Sequence, residues 1–184
     1  MGLSDFIWPG PKSNISPESD DYRLVPTRTT PLDHPQHPEI ITFSNYLRRL
    51  AGSRPMADRA DINPADILPF LPHLMILDVI DEGADFRVRV FGTGLVSLIC
   101  EERTGLLASE FGLKSTIYVD LAEIRARWLQ LFGRVYNEAR PVNFKAPTTS
   151  IDRSYMHYHG MFAPLTKGSE EVSQIIGMMI AVRS

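Results

Sequence analysis

Apolar residues recur at helical spacing in two stretches of the chain. In the first stretch, three- and four-residue intervals separate Ile40, Phe43, Leu47 and Leu50. This spacing, with Gly52 after it, predicts an amphipathic helix over Glu39 to Ala51. In the second stretch, between positions 120 and 138, the same spacing links Leu121, Ile124, Trp128, Leu131 and Val135. It predicts the longest helix of the chain, and shorter helices are predicted after Asn63 and over Thr93 to Ile99.

Five further segments have the apolar character of β-strands. They are Leu74 to Ile80, Phe86 to Val90, Pro141 to Ala146, Tyr155 to Leu165 and Gln174 to Arg183. Short polar turns join the first two strands and the last three, so neighbouring strands are expected to pair antiparallel. Because the helices lie between these two groups, the predicted fold class is α+β with one five-stranded antiparallel sheet.

Proline content divides the chain into two parts. Seven of the fourteen prolines lie within the first 38 residues, where neither a helical nor a strand period is present. Proline lacks the amide N–H that helices and central strands require, so residues 1–38 are interpreted as an extended arm. Residues 39–184 are interpreted as a single domain that includes the helix at 39–51.

Charge and composition narrow the functional classes. The formal charge is -3 and the pI is about 5.9, so the net field repels nucleic acid and anionic membranes. The single cysteine, Cys100, excludes an internal disulfide and a cysteine-rich zinc site. No apolar stretch approaches the roughly 18 to 20 residues of a membrane span. We therefore expect a cytoplasmic protein that has neither nucleic acid nor a membrane as its partner.

Charged residues in the first predicted hairpin indicate a structural ion pair. Asp78 is the one acid in an apolar strand, and a turn at Glu82-Gly83 places it opposite Arg87 and diagonal to Arg89. A carboxylate among hydrophobic residues needs a cationic partner, so we expect Asp78 to form a buried pair with these arginines. No acid or histidine is seen to converge on Asp78, and no catalytic residue is assigned.

Two histidines lie on a predicted strand at a spacing that places both on one face. His157 and His159 are two residues apart and could chelate a metal ion. Zinc takes three or four ligands, however, and no further ligand accompanies the pair at motif spacing, so no metal site is assigned. The two imidazoles are interpreted as hydrogen-bonded strand residues, with a contact to a pocket ligand as the alternative.

A specific set of motif residues lies within positions 57–106. They are Asp61, Ile62, Pro64, Asp66, Ile67, Leu71, Pro72, Leu77, Asp78, Phe86, Arg87, Arg89, Gly92, Thr93, Thr104 and Gly105. On these residues the chain resembles PAS domains, and most closely the single-domain PAS-like proteins of alphaproteobacteria. The resemblance implies strands in the order 2-1-5-4-3, helices on one face and an additional N-terminal helix. It also implies a sensory or interaction module and not an enzyme.

The cofactors of some PAS domains are not supported by this sequence. Flavin-binding photosensors of the family place a reactive cysteine in an Asn-Cys-Arg setting, whereas Cys100 is followed by two glutamates. We interpret Cys100 as a buried or half-buried structural residue. The long predicted helix contains no histidine for haem. The loop at Gly92 has only part of a dinucleotide-binding motif, so its glycine is expected to serve a turn that needs an unusual φ. The cofactor is left unknown.

Three functions remain open. The first is a non-enzymatic sensor that holds a small ligand under the long helix and relays its presence through protein contacts. The wall of its pocket is expected to consist of Trp128, Leu131, Phe144, His157 and His159. The second is a protein-interaction adaptor with a filled core and no ligand. The third is a small cone-shaped α+β isomerase or dehydratase, for which Asp78 and His157 are the one acid–base pair to propose.

The predicted N-terminal helix raises the question of assembly. Its apolar seam is narrow, and we expect it to pack on the outer face of the sheet or on a second copy of the chain. PAS domains commonly dimerise through such helices. A homodimer through helix 39–51 and a protein partner in signalling are therefore expected.

Overall fold

The computed structural model describes residues 29–112, 121–147 and 156–183. Within these ranges the helices are α1 (Pro38–Ala51), α2 (Pro64–Ile67), α3 (Thr93–Ile99) and α4 (Leu121–Glu138). The strands are β1 (Thr30–Leu32), β2 (Ala57–Asp58), β3 (Leu74–Ile80), β4 (Asp85–Phe91), β5 (Val142–Pro147), β6 (Met156–Thr166) and β7 (Gln174–Arg183). Short 3-10 segments occupy Arg59–Asp61, Leu68–His73, Asp81–Gly83 and Ala108–Glu110.

All of these strands belong to one sheet. Its order is β1-β5-β6-β7-β3-β4 with antiparallel neighbours, and β2 pairs in parallel with the end of β6. The five predicted strands, β3 to β7, lie in the predicted order, so the α+β fold class is confirmed. The short strands β1 and β2 were not predicted. β1 comes from the proline-rich segment and lies at the edge, where Pro31 is tolerated.

Helix α1 covers one face of the sheet, which we call the α1 face. Ile40, Phe43 and Leu47 are buried there, in one cluster with Met161 on β6 and Met178 on β7. The expectation that this helix packs on the outer face of the sheet is confirmed. Because the chain's own sheet covers the seam, a second copy would have to contact a different side of α1.

Helix α4 covers the opposite face, which we call the α4 face. Its buried residues are Ile124, Trp128, Leu131, Phe132 and Val135. They share a core cluster with inward residues of β3 to β7, among them Leu77 and Phe162. The predicted helical seam is thus confirmed as a packing seam.

A β-bulge in the first hairpin changes which face its residues meet. The register pairs Leu77 with Val88 and Ile76 with Val90. Arg89 is therefore an extra residue without a partner position on β3. Val88 packs on the α4 face, whereas Val90 turns to the α1 face. The bulge therefore ends the regular alternation of buried residues on β4 after Val88.

Gly92 allows two segments to approach closely. Its φ is -64°, which any residue can adopt. A β-carbon at this position would instead collide with the backbone of Leu71 and Pro72. The prediction of an unusual φ at this turn is wrong, because the missing side chain is what matters here.

Local polar groups define the ends of the helices. Before α1, the His37 Nδ1 accepts a hydrogen bond from the Glu39 backbone N–H at 3.4 Å, and Gly52 ends the helix with φ of +60°. Before α2, the Asn63 side chain accepts from the Ala65 N–H at 3.1 Å, as its sequence position predicts. None of the described helices is both long and apolar enough to cross a membrane.

Candidate functional site

A groove opens between α4 and the sheet edge formed by β1 and β5. Its volume is about 220 Å³. The residues that line it are Thr29, Pro31, Arg127, Gln130, Leu131, Arg134, Val142 and Phe144. Two of them, Leu131 and Phe144, are among the predicted ligand contacts. We call this feature the α4 groove.

The α4 groove has an apolar floor and a cationic rim. The floor consists of Leu131, Val142 and Phe144, whose exposed fractions are 8%, 4% and 2%. The rim residues Arg127, Gln130 and Arg134 lie three to four positions apart, so they follow one stripe of α4. Arg134 donates from Nε to Glu138 at 2.9 Å. Among the described residues, no acidic side chain lines the groove.

Trp128, the third predicted contact on this face, is a core residue instead. It is 4% exposed and stacks on Phe132 with ring centroids 5.4 Å apart. Its edge-to-face neighbours are Phe111 at 6.1 Å and Phe162 at 6.2 Å. The indole is thus enclosed by aromatic side chains and does not line the α4 groove.

A buried ion pair lies behind Trp128, and sequence analysis did not find it. The Arg103 Nε donates to Glu101 at 2.8 Å, with side-chain exposures of 4% and 1%. Glu101 also accepts from the Gly112 N–H at 3.0 Å. The Arg103 guanidinium lies 4.1 Å from the Phe111 ring centroid, and its Nη1 finds no hydrogen-bond partner in the described structure. No sequence signal marked this pair, because its two members simply sit two positions apart in a loop.

Arg103 and Arg127 both lie near the Trp128 indole. Their guanidinium carbons are 5.5 and 5.7 Å from the Trp128 ring centroid. Burial lowers the pKa of each guanidinium, and the charge of Arg103 lowers the pKa of Arg127 further. Glu101 and Tyr158 raise the pKa of Arg103, and Tyr158 and Glu123 raise that of Arg127. Each of the two cations thus has an acidic residue near it, Glu101 for Arg103 and Glu123 for Arg127.

The predicted histidine contacts lie on the other side of the sheet. Residues of β6 alternate between faces, and Phe162 points to the α4 face. His157 and His159 have the opposite parity and share the α1 face with Met161. The expectation that they form one pocket wall with Trp128 is wrong, because the sheet itself separates them.

The two histidines contact each other. Their Nε2 atoms are 3.2 Å apart, and the His37 ring lies 6.4 Å from the His159 ring. Burial lowers the pKa of both imidazoles; the charge of Lys145 lowers both further, and His157 and His37 add to the effect at His159. The His159 Nδ1 is buried and has no hydrogen-bond partner among the described residues. The described part of the chain contains no group of three metal-ligating side chains placed to hold an ion.

Asp78 forms an ion pair, but the pair is not buried. Its carboxylate accepts from Arg89 Nε and, at 2.7 Å, from the Gln174 side-chain amide. The Arg89 side chain is 63% exposed and that of Asp78 is 18% exposed. Arg87 lies opposite Asp78 in the register, as predicted, yet the bulged Arg89 makes the contact. The expectation of a buried pair is wrong, since Arg89 stays largely in water.

The acid–base pair of the enzyme hypothesis does not converge. Asp78 lies beside Gln174 at the start of β7, whereas His157 lies beside Val182 near its end. Eight residues of strand separate these positions, which is roughly 27 Å at about 3.4 Å per residue. The two side chains are therefore too far apart to act together in one catalytic site.

Cys100 is exposed and adopts a left-handed conformation at the end of α3, with φ of 60°. Its backbone N–H donates to the Val96 carbonyl at 2.8 Å, so the residue closes the helix. The interpretation of Cys100 as a buried or half-buried residue is wrong, because the chain turns outward here after the short helix.

Most of the chain matches the sequence model of a known protein family. The sequence model of the PAS domain family matches residues 35–180, from α1 well into β7. No curated protein matches the chain. The family match covers far more than half of the sequence, and the order of the five central strands agrees with the one that the resemblance implied. The chain belongs to the PAS domain family.

Proposed function

We propose that this chain is a sensory and signalling module that binds a small ligand in the α4 groove and relays its presence through protein contacts. PAS domains are generally non-enzymatic sensory modules, and the family match supports this class of function. The observation that carries the proposal is the groove itself. It opens between α4 and the sheet edge, and the buried side chains of Leu131 and Phe144 form part of its apolar floor.

The position of β1 suggests how ligand binding in the groove is transmitted to α1. Pro31 of β1 lines the groove, and β1 is an edge strand of three residues paired only with β5. Such a short edge strand is held by few hydrogen bonds and is easily displaced. Residues 33–37 connect β1 directly to α1. A ligand that presses on Pro31 or anchors it would therefore shift the start of α1.

The adaptor hypothesis is the second candidate, and one observation favours it. Trp128, Phe132, Phe144 and Phe162 fill the described part of the α4 face with stacked and edge-to-face rings. A core packed in this way leaves no room for a ligand beneath Trp128. In this alternative the chain acts only through its surface.

Native mass spectrometry of freshly purified protein separates the two candidates. The ligand proposal predicts a mass excess under native conditions that disappears on denaturation. It also predicts that Gln130→Trp, which places an indole at the rim of the groove, reduces this excess. Asn137→Trp is the matched control, since Asn137 is exposed on the same helix and does not line the groove. No mass excess in any variant would favour the adaptor.

A homodimer through α1 is the partner arrangement that we propose. The inner seam of α1 is covered, but Ile41 is 39% exposed and is one of the exposed large apolar side chains. Light scattering on Ile41→Glu should show a shift toward monomer. Leu68→Glu is the control, because Leu68 is an exposed apolar residue outside α1. A wild-type monomer would exclude the dimer.

A further inference from the structure

We propose that His157 and His159 chelate a divalent transition-metal ion of the Zn²⁺ and Ni²⁺ class on the α1 face of the sheet. The two imidazole nitrogens supply two ligands, and water occupies the remaining coordination positions. This site lies on the opposite side of the sheet from the α4 groove, so it is independent of the proposed function.

The separation of the two ring nitrogens matches the geometry of a chelate. The Nε2 atoms of His157 and His159 are 3.2 Å apart. A zinc–nitrogen bond is about 2.0 to 2.1 Å long, so one ion bound to both atoms makes an N–metal–N angle of roughly 100 to 105°. This angle lies between the right angle of octahedral coordination and the wider tetrahedral angle. An ion can therefore bind both nitrogens without a change in their separation.

The orientation of the rings leaves room for the ion. Their centroids are 5.1 Å apart and their planes are tilted by 58°. If the two Nε2 atoms pointed straight at each other, the centroid separation would be the nitrogen separation plus two full ring radii, which is a larger distance. The rings therefore meet at an angle, as two ligands of one ion do.

The tautomer that a metal ion needs is available to His159. Its Nδ1 is buried and has no hydrogen-bond partner among the described residues. No hydrogen bond on that side of the ring therefore requires the proton to stay on Nε2. Both imidazoles are half-buried, so they remain accessible from solvent.

The groups around the pair indicate a weak and open site. Lys145 lies opposite His159 on β5, and its positive charge acts on both imidazoles. This repulsion is screened, because Lys145 is exposed. The neighbouring positions on β7, 180 and 182, are apolar. His37 is near, but its Nδ1 accepts from the Glu39 N–H, and the described residues include no set of three ligands placed to hold an ion.

Titration calorimetry of the untagged chain, freed of metal with a chelator, tests the proposal. The probes are Zn²⁺, Ni²⁺ and Mg²⁺ at pH 7.5. We expect Zn²⁺ and Ni²⁺ to bind at one ion per chain, whereas Mg²⁺ should not bind, since it prefers oxygen ligands to imidazole. No binding of Zn²⁺ and Ni²⁺, or equal binding of Mg²⁺, would overturn the proposal.

Variants locate the ion. His157→Gln and His159→Gln should each weaken Ni²⁺ binding at least about tenfold, because even the loss of an outer partner of a ligand has an effect of this size. His34→Gln is the matched control, since His34 is an exposed histidine outside the pair. Lys145→Gln should tighten binding, because it removes the repulsion. A thermal melt shows whether each variant is folded. Unchanged Ni²⁺ affinity in folded His157→Gln or His159→Gln would overturn the assignment.

Nitrogen-15 spectra of the imidazoles distinguish a chelate from a hydrogen bond between the two rings. An ion bound to both Nε2 atoms places the remaining proton of each neutral ring on Nδ1. A hydrogen bond instead keeps one proton between the Nε2 atoms. At saturating Zn²⁺ we expect both His157 and His159 in the Nδ1–H form. A proton retained on either Nε2 would show that the contact is a hydrogen bond only.

Discussion

Phe144 and Phe162 lie on neighbouring strands with parallel rings, whose centroids are 5.7 Å apart and whose planes are within 2° of each other. Each ring lies over a glycine of the next strand: Phe144 over Gly160, and Phe162 over Gly177. The glycines leave the space in which the rings lie flat on the sheet. This arrangement connects the core of the α4 face to the floor of the α4 groove.

The two strand glycines should not tolerate a methyl group. A β-carbon at Gly160 would overlap the Phe144 ring, and one at Gly177 would overlap Phe162. We expect Gly160→Ala and Gly177→Ala each to reduce the free energy of unfolding by about 1 to 3 kcal/mol, as overpacked cores do. Urea denaturation measures the loss. Gly133→Ala in α4 is the control, since nothing lies within 4 Å of its β-carbon position and alanine favours a helix.

Breaking the buried Glu101–Arg103 pair should be costly. Arg103→Met leaves the Glu101 carboxylate buried without its partner, for which we expect a loss of about 3 to 5 kcal/mol in unfolding free energy. The double variant Glu101→Gln/Arg103→Met should recover most of it, because glutamine still accepts from the Gly112 N–H. If the loss in the double variant equals the sum of the losses in Arg103→Met and Glu101→Gln, the two side chains are not coupled.

Asp78 has two partners, Arg89 and Gln174, and we expect its contacts with them to contribute unequally to the stability of the fold. Arg89→Leu removes a largely exposed charge, so its expected cost is roughly 0 to 1 kcal/mol. Asp78→Ala also removes the acceptor of the Gln174 amide, for which we expect about 1 to 3 kcal/mol. Thermal melts of both single variants measure the difference. Equal losses would contradict the role assigned to Gln174.

The histidine pair predicts a loss of stability in acid. Because burial and the charge of Lys145 lower the pKa of His157 and His159 in the folded chain, the unfolded chain takes up protons first, near pH 6.5. Their contribution to stability is complete above about pH 6.5 and decreases as the pH falls below it. His157 and His37 also lower the pKa of His159, while the neighbouring positions on β7, 180 and 182, are apolar.

Melting temperatures at pH 7.5 and 5.5 test this expectation. The wild type should lose more stability between these two conditions than His157→Gln/His159→Gln does. His34→Gln, a change at an exposed histidine, should behave as the wild type. The same pH dependence in the double variant and the wild type would contradict the prediction.

The sequence by itself determined the helices and five of the strands of this protein, while the order of those five strands followed from the resemblance to PAS domains. The spacing of apolar residues in α1 and α4 predicts directly which side chains are buried. Short turns constrain the pairing of consecutive strands. The Glu82-Gly83 turn even set the register of Asp78 against Arg87. Local signals were sufficient for these features, but they missed the bulge at Arg89 and the exposure of Cys100.

Only the tertiary structure decided where the candidate site lies. Both faces of β6 are buried, so both sets of alternating residues are apolar and the pattern does not show which set meets α4. His157 and His159 were therefore placed on the wrong face. Part of the groove wall comes from β1, whose Pro31 gives no strand signal, and the Arg103 guanidinium near Trp128 comes from a loop 24 residues before Arg127. These features depend on contacts between segments that are far apart in the sequence. The local spacing of apolar residues does not predict such contacts.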